Sequence, residues 1–244
     1  MFLNGVGLII KLCTCTWYLQ RAQLAAAPLT KNAARQRAVR FIDPPFMKFG
    51  LSILMKRNDK TSKIHNMIDL SEQGDIKYGI IANGTTEGYF KDDDRRSEYN
   101  KMWYEMSDHP SRSLLESVAE GVRRVRESND SEPFAFIGEK YMLEFHASRK
   151  PCELIAVPGI SAEEYNGAYH LAVNRDVSTA IRDKLSEGLE HLQNSSRLEQ
   201  IYEKWWIHKN QCKTSTASST LIVNSGTAIL VPILVSLLFR VSID

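Results

Sequence analysis

The 244 residues carry 31 Lys and Arg against 29 Asp and Glu, a formal net charge of +2. So weak a field gives no reason to expect a nucleic-acid partner, and 43% hydrophobic with 25% charged residues is ordinary globular composition. Cys13, Cys15, Cys152 and Cys212 include no Cys-x-x-Cys pair and join no His cluster, so neither zinc nor another metal is expected. No nucleophile motif, phosphate loop or paired-carboxylate signature is present, so neither an enzyme nor a cofactor is expected.

Met1 to Gln23 fits no element: Leu8-Ile9-Ile10 is apolar, but Lys11 interrupts it and no basic stretch precedes it, which makes a poor secretory signal. Ala26-Ala27-Pro28-Leu29-Thr30 then leads to Arg35, and Pro44-Pro45-Phe46-Met47 precedes the strand-like Phe49 to Met55. Arg57 to His65 is a polar, charged linker. Ile76, Tyr78, Ile80 and Ile81 predict a short buried strand, broken by Asn83-Gly84, with Thr85-Thr86 opening a helix. A strand, a glycine turn and a hydroxyl-rich helix start suit a carboxylate or phosphate, because free N–H groups and the helix dipole converge there. The same residues also suit an ordinary capped helix after a strand.

Ser113-x-x-Glu116 predicts a capping box for a helix reaching Arg126, with Leu114, Leu115, Val118, Val122 and Val125 as its apolar face. Phe134 to Ile137, Leu154 to Val157 and Tyr169 to Val173 predict strands. Val177 to Leu192 is an amphipathic helix, and Ser196-x-x-Glu199 caps one more. Alternating strands and helices imply an α/β sheet. Leu221 to Phe239 is mostly apolar and long enough for the hydrocarbon core at about 1.5 Å per residue. A membrane span is expected there, with a buried terminal helix as the alternative.

Pro28-Leu29-Thr30…Arg35, Pro45-Phe46-Met47…Gly50-Leu51-Ser52-Ile53-Leu54, Gly84-Thr85-Thr86, Asn100-Lys101-Met102-Trp103, Glu120-Gly121-Val122-x-x-Val125, Phe134-Ala135-Phe136…Glu139, Cys152 and Lys204-Trp205-Trp206…Cys212 occur in that order. In this the chain resembles an ionotropic glutamate receptor subunit of the AMPA/kainate branch from about Leu24 to Phe239, Glu rather than Asp at 139 favouring that branch over the NMDA one. The resemblance implies a two-lobed, periplasmic-binding-protein-like clamshell plus one C-terminal transmembrane helix. Its segments would be 1–23 unassigned, 24–55 with 170–212 as a partial first lobe, 66–169 as the second lobe, and 220–240 as the membrane helix.

By position, Arg35 would grip the α-carboxylate of glutamate or a related amino acid, a bidentate task suited to guanidinium. The Pro28 carbonyl and Thr30 hydroxyl, with Glu139, would hold the α-amino group, and Thr85 with Thr86 would take the distal carboxylate. Cys152 and Cys212 would form a disulfide. Asn83, Asn129 and Asn194 stand in glycosylation sequons. Taken alone, Arg35 suits a surface charge beside Arg37 and Arg40, and a strand tyrosine such as Tyr169 suits plain packing.

The departures are as specific as the matches. Lys56 to Asn66 holds no stretch able to cross hydrocarbon where the family carries its pore. The early part of the first lobe is missing, and Arg40 replaces an acidic residue. Weak or absent ligand affinity is therefore expected, in a truncated or exon-skipped derivative. Family-level function is ligand-gated ion conduction at a postsynaptic plasma membrane, with other receptor subunits and membrane lipid as partners. The alternative is a pore-less, membrane-tethered amino-acid binder or dominant-negative assembly partner.

Overall fold

The structure is a computed structural model that describes residues 23–212 apart from Asp93 and Arg95. The expected membrane span at 220–240, Cys13, Cys15 and nearly all of the unassigned 1–23 segment lie outside those residues. Among the described residues no helix is long and apolar enough to cross a membrane.

Two sheets make the fold. Strands β1 (Leu24–Ala25), β2 (Arg40–Phe49), β3 (Leu51–Lys56), β4 (Lys77–Ile81), β5 (Leu114–Leu115), β6 (Phe134–Glu139), β7 (Leu154–Ile160) and β8 (Gly167–Val173) alternate with helices. The helices are α1 (Ala33–Ala38), α2 (Met67–Glu72), α3 (Thr85–Phe90), α4 (Ser97–Asp108), α5 (Pro110–Ser113), α6 (Val118–Glu127), α7 (Lys140–Ala147), α8 (Ala162–Tyr165), α9 (Thr179–Asn194) and α10 (Arg197–Tyr202). The smaller sheet runs β1-β8-β2 and the larger β5-β4-β6-β3-β7.

β3 and β6 are buried along almost their whole length because both faces of the larger sheet are covered. Period-two alternation divides their side chains. Ile53, Met55, Ala135 and Ile137 join a core with Met67, Tyr78, Met102 and Met106. Leu54, Phe134 and Phe136 join another with Val122 and Val125 of α6. The smaller sheet is held by two modest clusters, Ile42 with Val173, Val177 and Leu189, and Leu29 with Val39 and Ala172.

Several elements differ from the sequence expectation. Leu114-Leu115 is a strand beside β4, and the helix starts at Val118 with Ser117 as its cap. Ser117 Oγ accepts from the Glu120 N–H at 3.2 Å, and Glu120 accepts from the Glu116 N–H at 2.8 Å. The capping box therefore falls four residues later, because parallel pairing with β4 draws Leu114 and Leu115 into the sheet. Ser196 lies at φ 54° and makes no side-chain cap, so α10 starts without the predicted one. Leu51–Lys56 pairs inside the larger sheet, and Gly167–Val173 belongs wholly to the smaller one.

Beyond α10 the chain continues as a π-helical turn, Glu203–His208, that packs on α7. Trp206 donates from Nε1 to the Tyr141 carbonyl at 2.8 Å, and the Trp206 ring stacks on Tyr202. Arg149 donates to the Lys209 carbonyl, and Cys152 forms a disulfide with Cys212 across a sequence separation of 60. Closing a loop of that length removes about 4 kcal/mol of unfolded-state entropy, and measured values run lower. Cys212→Ser is expected to lower the urea-unfolding free energy by about 2–4 kcal/mol, and reductant should bring the wild type to the same value.

Candidate functional site

β4 and β6 are adjacent and parallel, so their C-terminal ends open on one side of the sheet, where α/β folds place ligands. The end of β4 leads through Asn83 and Gly84 into α3, which starts at Thr85; the end of β6 is Glu139. Glu139 pairs with Leu51, immediately after the point where the chain crosses from β2 to β3. On the other side of that crossing, Met47 pairs with Tyr169, and Tyr169 forms a bridge with Thr30. Backbone pairing thus draws residues from widely separated stretches onto one spot.

Side-chain bonds complete the cluster. Asn32 caps α1, its Oδ1 accepting from the Arg35 N–H at 2.8 Å, which fixes where the guanidinium starts. Arg35 donates from Nη1 to the Thr30 carbonyl at 2.8 Å and to the Thr30 hydroxyl at 2.5 Å. The Tyr169 hydroxyl donates to Glu139 at 2.5 Å. Burial pushes the Glu139 carboxyl up to about 6, against the Tyr169 hydrogen bond and the Arg35 charge, which both pull it down. Burial and the Glu139 carboxylate raise the Tyr169 phenol well above its ordinary value, so it stays a donor.

A cleft of about 530 Å³ lies beside this cluster. Thr30, Lys31, Lys48, Thr85, Tyr165 and His170 are among the residues lining it, whereas Arg35 and Glu139 do not reach its wall. His170 and Lys31 both reach Asp43, at 3.3 and 3.0 Å. Burial lowers the His170 pKa, more than Asp43 raises it.

The structure brings Thr30, Arg35 and Glu139 together, with Pro28 half-buried two residues before Thr30. Thr85 and Thr86 both face the Tyr165 hydroxyl, 3.3 Å from Thr85 Oγ1 and 3.5 Å from Thr86 Oγ1. The Asn83 N–H is likewise taken by the carboxylate of Glu87. Asn83, Asn129 and Asn194 are all exposed.

Tyr165 was not legible as a site residue. Its only signals are Ser161-x-x-Glu164, a capping pattern that here seats a single turn, and Asn166-Gly167, which ends it. Lys31, Lys48 and His170 carry no motif at all.

Residues 19–208 match the family described as bacterial extracellular solute-binding proteins, family 3. The chain is 31% identical over 162 residues to glutamate receptor 3 of Homo sapiens, covering 65% of this chain and 17% of that protein. It is 30% identical over 161 residues to the kainate-type ionotropic glutamate receptor glr-3 of Caenorhabditis elegans, covering 66% of this chain and 18% of that one. Among solved structures, the Drosophila muscle GluRIIB complex with glutamate superposes with a TM-score of 0.62 at 28% identity, covering 77% of this chain and 69% of that one.

A raised carboxyl in a folded protein stabilises below its unfolded pKa and stops doing so as pH climbs through the folded one. For Glu139 that window runs from about 4.5 to about 6. Glu139→Gln is expected to gain on the wild type across this window, by on the order of 1–2 kcal/mol at pH 7. Urea unfolding of both proteins at pH 4.5, 6 and 7 checks it; a stability difference that stays flat with pH would contradict the assignment.

Proposed function

Because the chain belongs to the family-3 solute-binding proteins and carries a ligand-binding region of the ionotropic glutamate receptor type, we propose that residues 23–212 bind an α-amino acid. The observation that carries this is the opposed pair Arg35 and Glu139, each held by its own hydroxyl partner where the two sheets meet. The zwitterion of an amino acid matches it: the guanidinium takes the α-carboxylate in a charge-assisted bond, and the carboxylate takes the ammonium. The glutamate complex of the superposed Drosophila structure supports an amino-acid ligand.

Binding needs some rearrangement. Arg35 is engaged with Thr30 and lies off the cleft wall, so its guanidinium must open toward the ligand while its bond to Thr30 steers it. Ligand ammonium beside Glu139 favours the ionised carboxylate, so binding relieves the unfavourable burial of that charge.

The connection after β3 supports a binding module without its own pore. Lys56 leads directly into a turn in which the Asn58 side chain accepts from the Thr61 N–H at 2.9 Å and the Thr61 hydroxyl donates to the Lys56 carbonyl at 2.7 Å. Helix α2 follows at Met67, capped by Asn66. Membrane tethering through 220–240 and assembly with receptor subunits complete this reading, and ion conduction then belongs to those partners.

Isothermal titration of the full chain with amino acids tests the core of it. Arg35→Ala is expected to weaken binding by about 10–100-fold, the loss of hydrogen bonds to a charged group. Equal heats in both proteins would remove Arg35 from the site.

A further inference from the structure

Tyr165 lies against Thr85 and Thr86, the pair to which the family resemblance assigns a ligand's distal carboxylate. Its hydroxyl donates to Thr85 at 3.3 Å and lies 3.5 Å from the Thr86 hydroxyl. The ring is 9% exposed and packs against Tyr89 at 5.1 Å and Phe49 at 5.9 Å between centroids. Gly167 leaves the space the ring uses, since a Cβ there would come within 2.6 Å of it. The backbone fixes the residue from both sides, through the Ser161 cap before it and the left-handed Asn166 after it. Tyr165 is thus a packed wall rather than a flap.

A second observation points the same way. The Glu87 side chain is 7% exposed, and its carboxylate accepts from the Asn83 N–H and pairs with Lys91 at 2.7 Å. A ligand carboxylate bonding both the Thr85 and Thr86 hydroxyls would compete with the Tyr165 hydroxyl, and it would enter beside a turn that already holds the Glu87 carboxylate.

We propose that Tyr165 is a specificity-determining residue that closes the distal end of the site, so that the bound amino acid has a short, uncharged side chain such as that of glycine, alanine or serine. This rests on the amino-acid reading of Arg35 and Glu139 above. Where a receptor-type site reads a second carboxylate, this chain supplies a phenol and a carboxylate of its own.

Titration calorimetry of the full chain with L-alanine and L-glutamate, in the wild type and in Tyr165→Val, Tyr165→Phe and Arg35→Ala, tests it. The wild type is expected to bind alanine at least tenfold more tightly than glutamate. Tyr165→Val should shift that ratio at least tenfold toward glutamate, while Tyr165→Phe, which keeps the ring, should keep the wild-type ranking. A merely structural role for Tyr165 would weaken both ligands together. Glutamate bound by the wild type as tightly as alanine, with the heat lost in Arg35→Ala, overturns the Tyr165 proposal and leaves the amino-acid reading standing. So does a folded Tyr165→Val with an unchanged ratio; where that variant does not fold, the wild-type ranking decides. No heat from either ligand, or heat indifferent to Arg35→Ala, overturns both.

Discussion

Every group in the site hangs from the place where the chain passes between the sheets. Phe49 ends β2 and Leu51 begins β3, so Gly50 is the whole of one crossing. The return, β7 through α8 to β8, lies against it: a Cβ on Gly50 would come within 2.0 Å of the Ile160 carbonyl oxygen. Only glycine permits that approach. From this point the register places Glu139 opposite Leu51, Gly167 opposite Phe49 and Tyr169 opposite Met47, while the Gly50 carbonyl accepts from the Lys140 N–H at 3.0 Å. Phe49 then fills the corner, its ring 4.2 Å from that of Tyr169. The position of the carboxylate, its phenol donor and the neighbouring tyrosine is therefore a consequence of backbone pairing and one side chain's bulk.

The two sides of that crossing are unequally supported. The larger sheet has helices over both faces, with Ile53, Leu54, Phe136 and Ile137 essentially inaccessible to water. The smaller sheet relies on two small clusters and a two-residue edge strand. Glu139 ends a strand of the larger sheet, buried at the expense of a raised pKa, while the guanidinium that must reach the ligand sits on α1.

What was legible in the sequence follows from which interactions are local. The largely apolar β3 and the short buried strand β4 predict themselves, because burial acts on each residue in place. Arg35, Thr30 and Glu139 are singled out by the order of spaced motifs rather than by any property of their own, and the structure brings them together. The helix start was misplaced to Ser113 because two Ser-x-x-Glu patterns lie four residues apart, and only pairing with β4 chooses between them. Tyr165 was invisible for a further reason. A four-residue helix has no period, and its meaning depends on residues about 80 positions away, as the separation from Thr85 shows.

The stretch from Asn83 to Thr86 makes the limit of motif logic concrete. A turn into a helix start offers N–H groups and hydroxyls to an anion, and that chemistry is present here. Yet α3 spans only Thr85–Phe90, and its own Glu87 folds back on the Asn83 N–H, so the terminus meets a carboxylate before any ligand arrives. The hydroxyls in turn face a phenol with no charge to offer. An anion cradle is defined by donors left over after the chain has satisfied itself. At this helix the chain sets a phenol and a carboxylate of its own beside those donors, and selectivity then comes from an occupied space rather than from an added attraction.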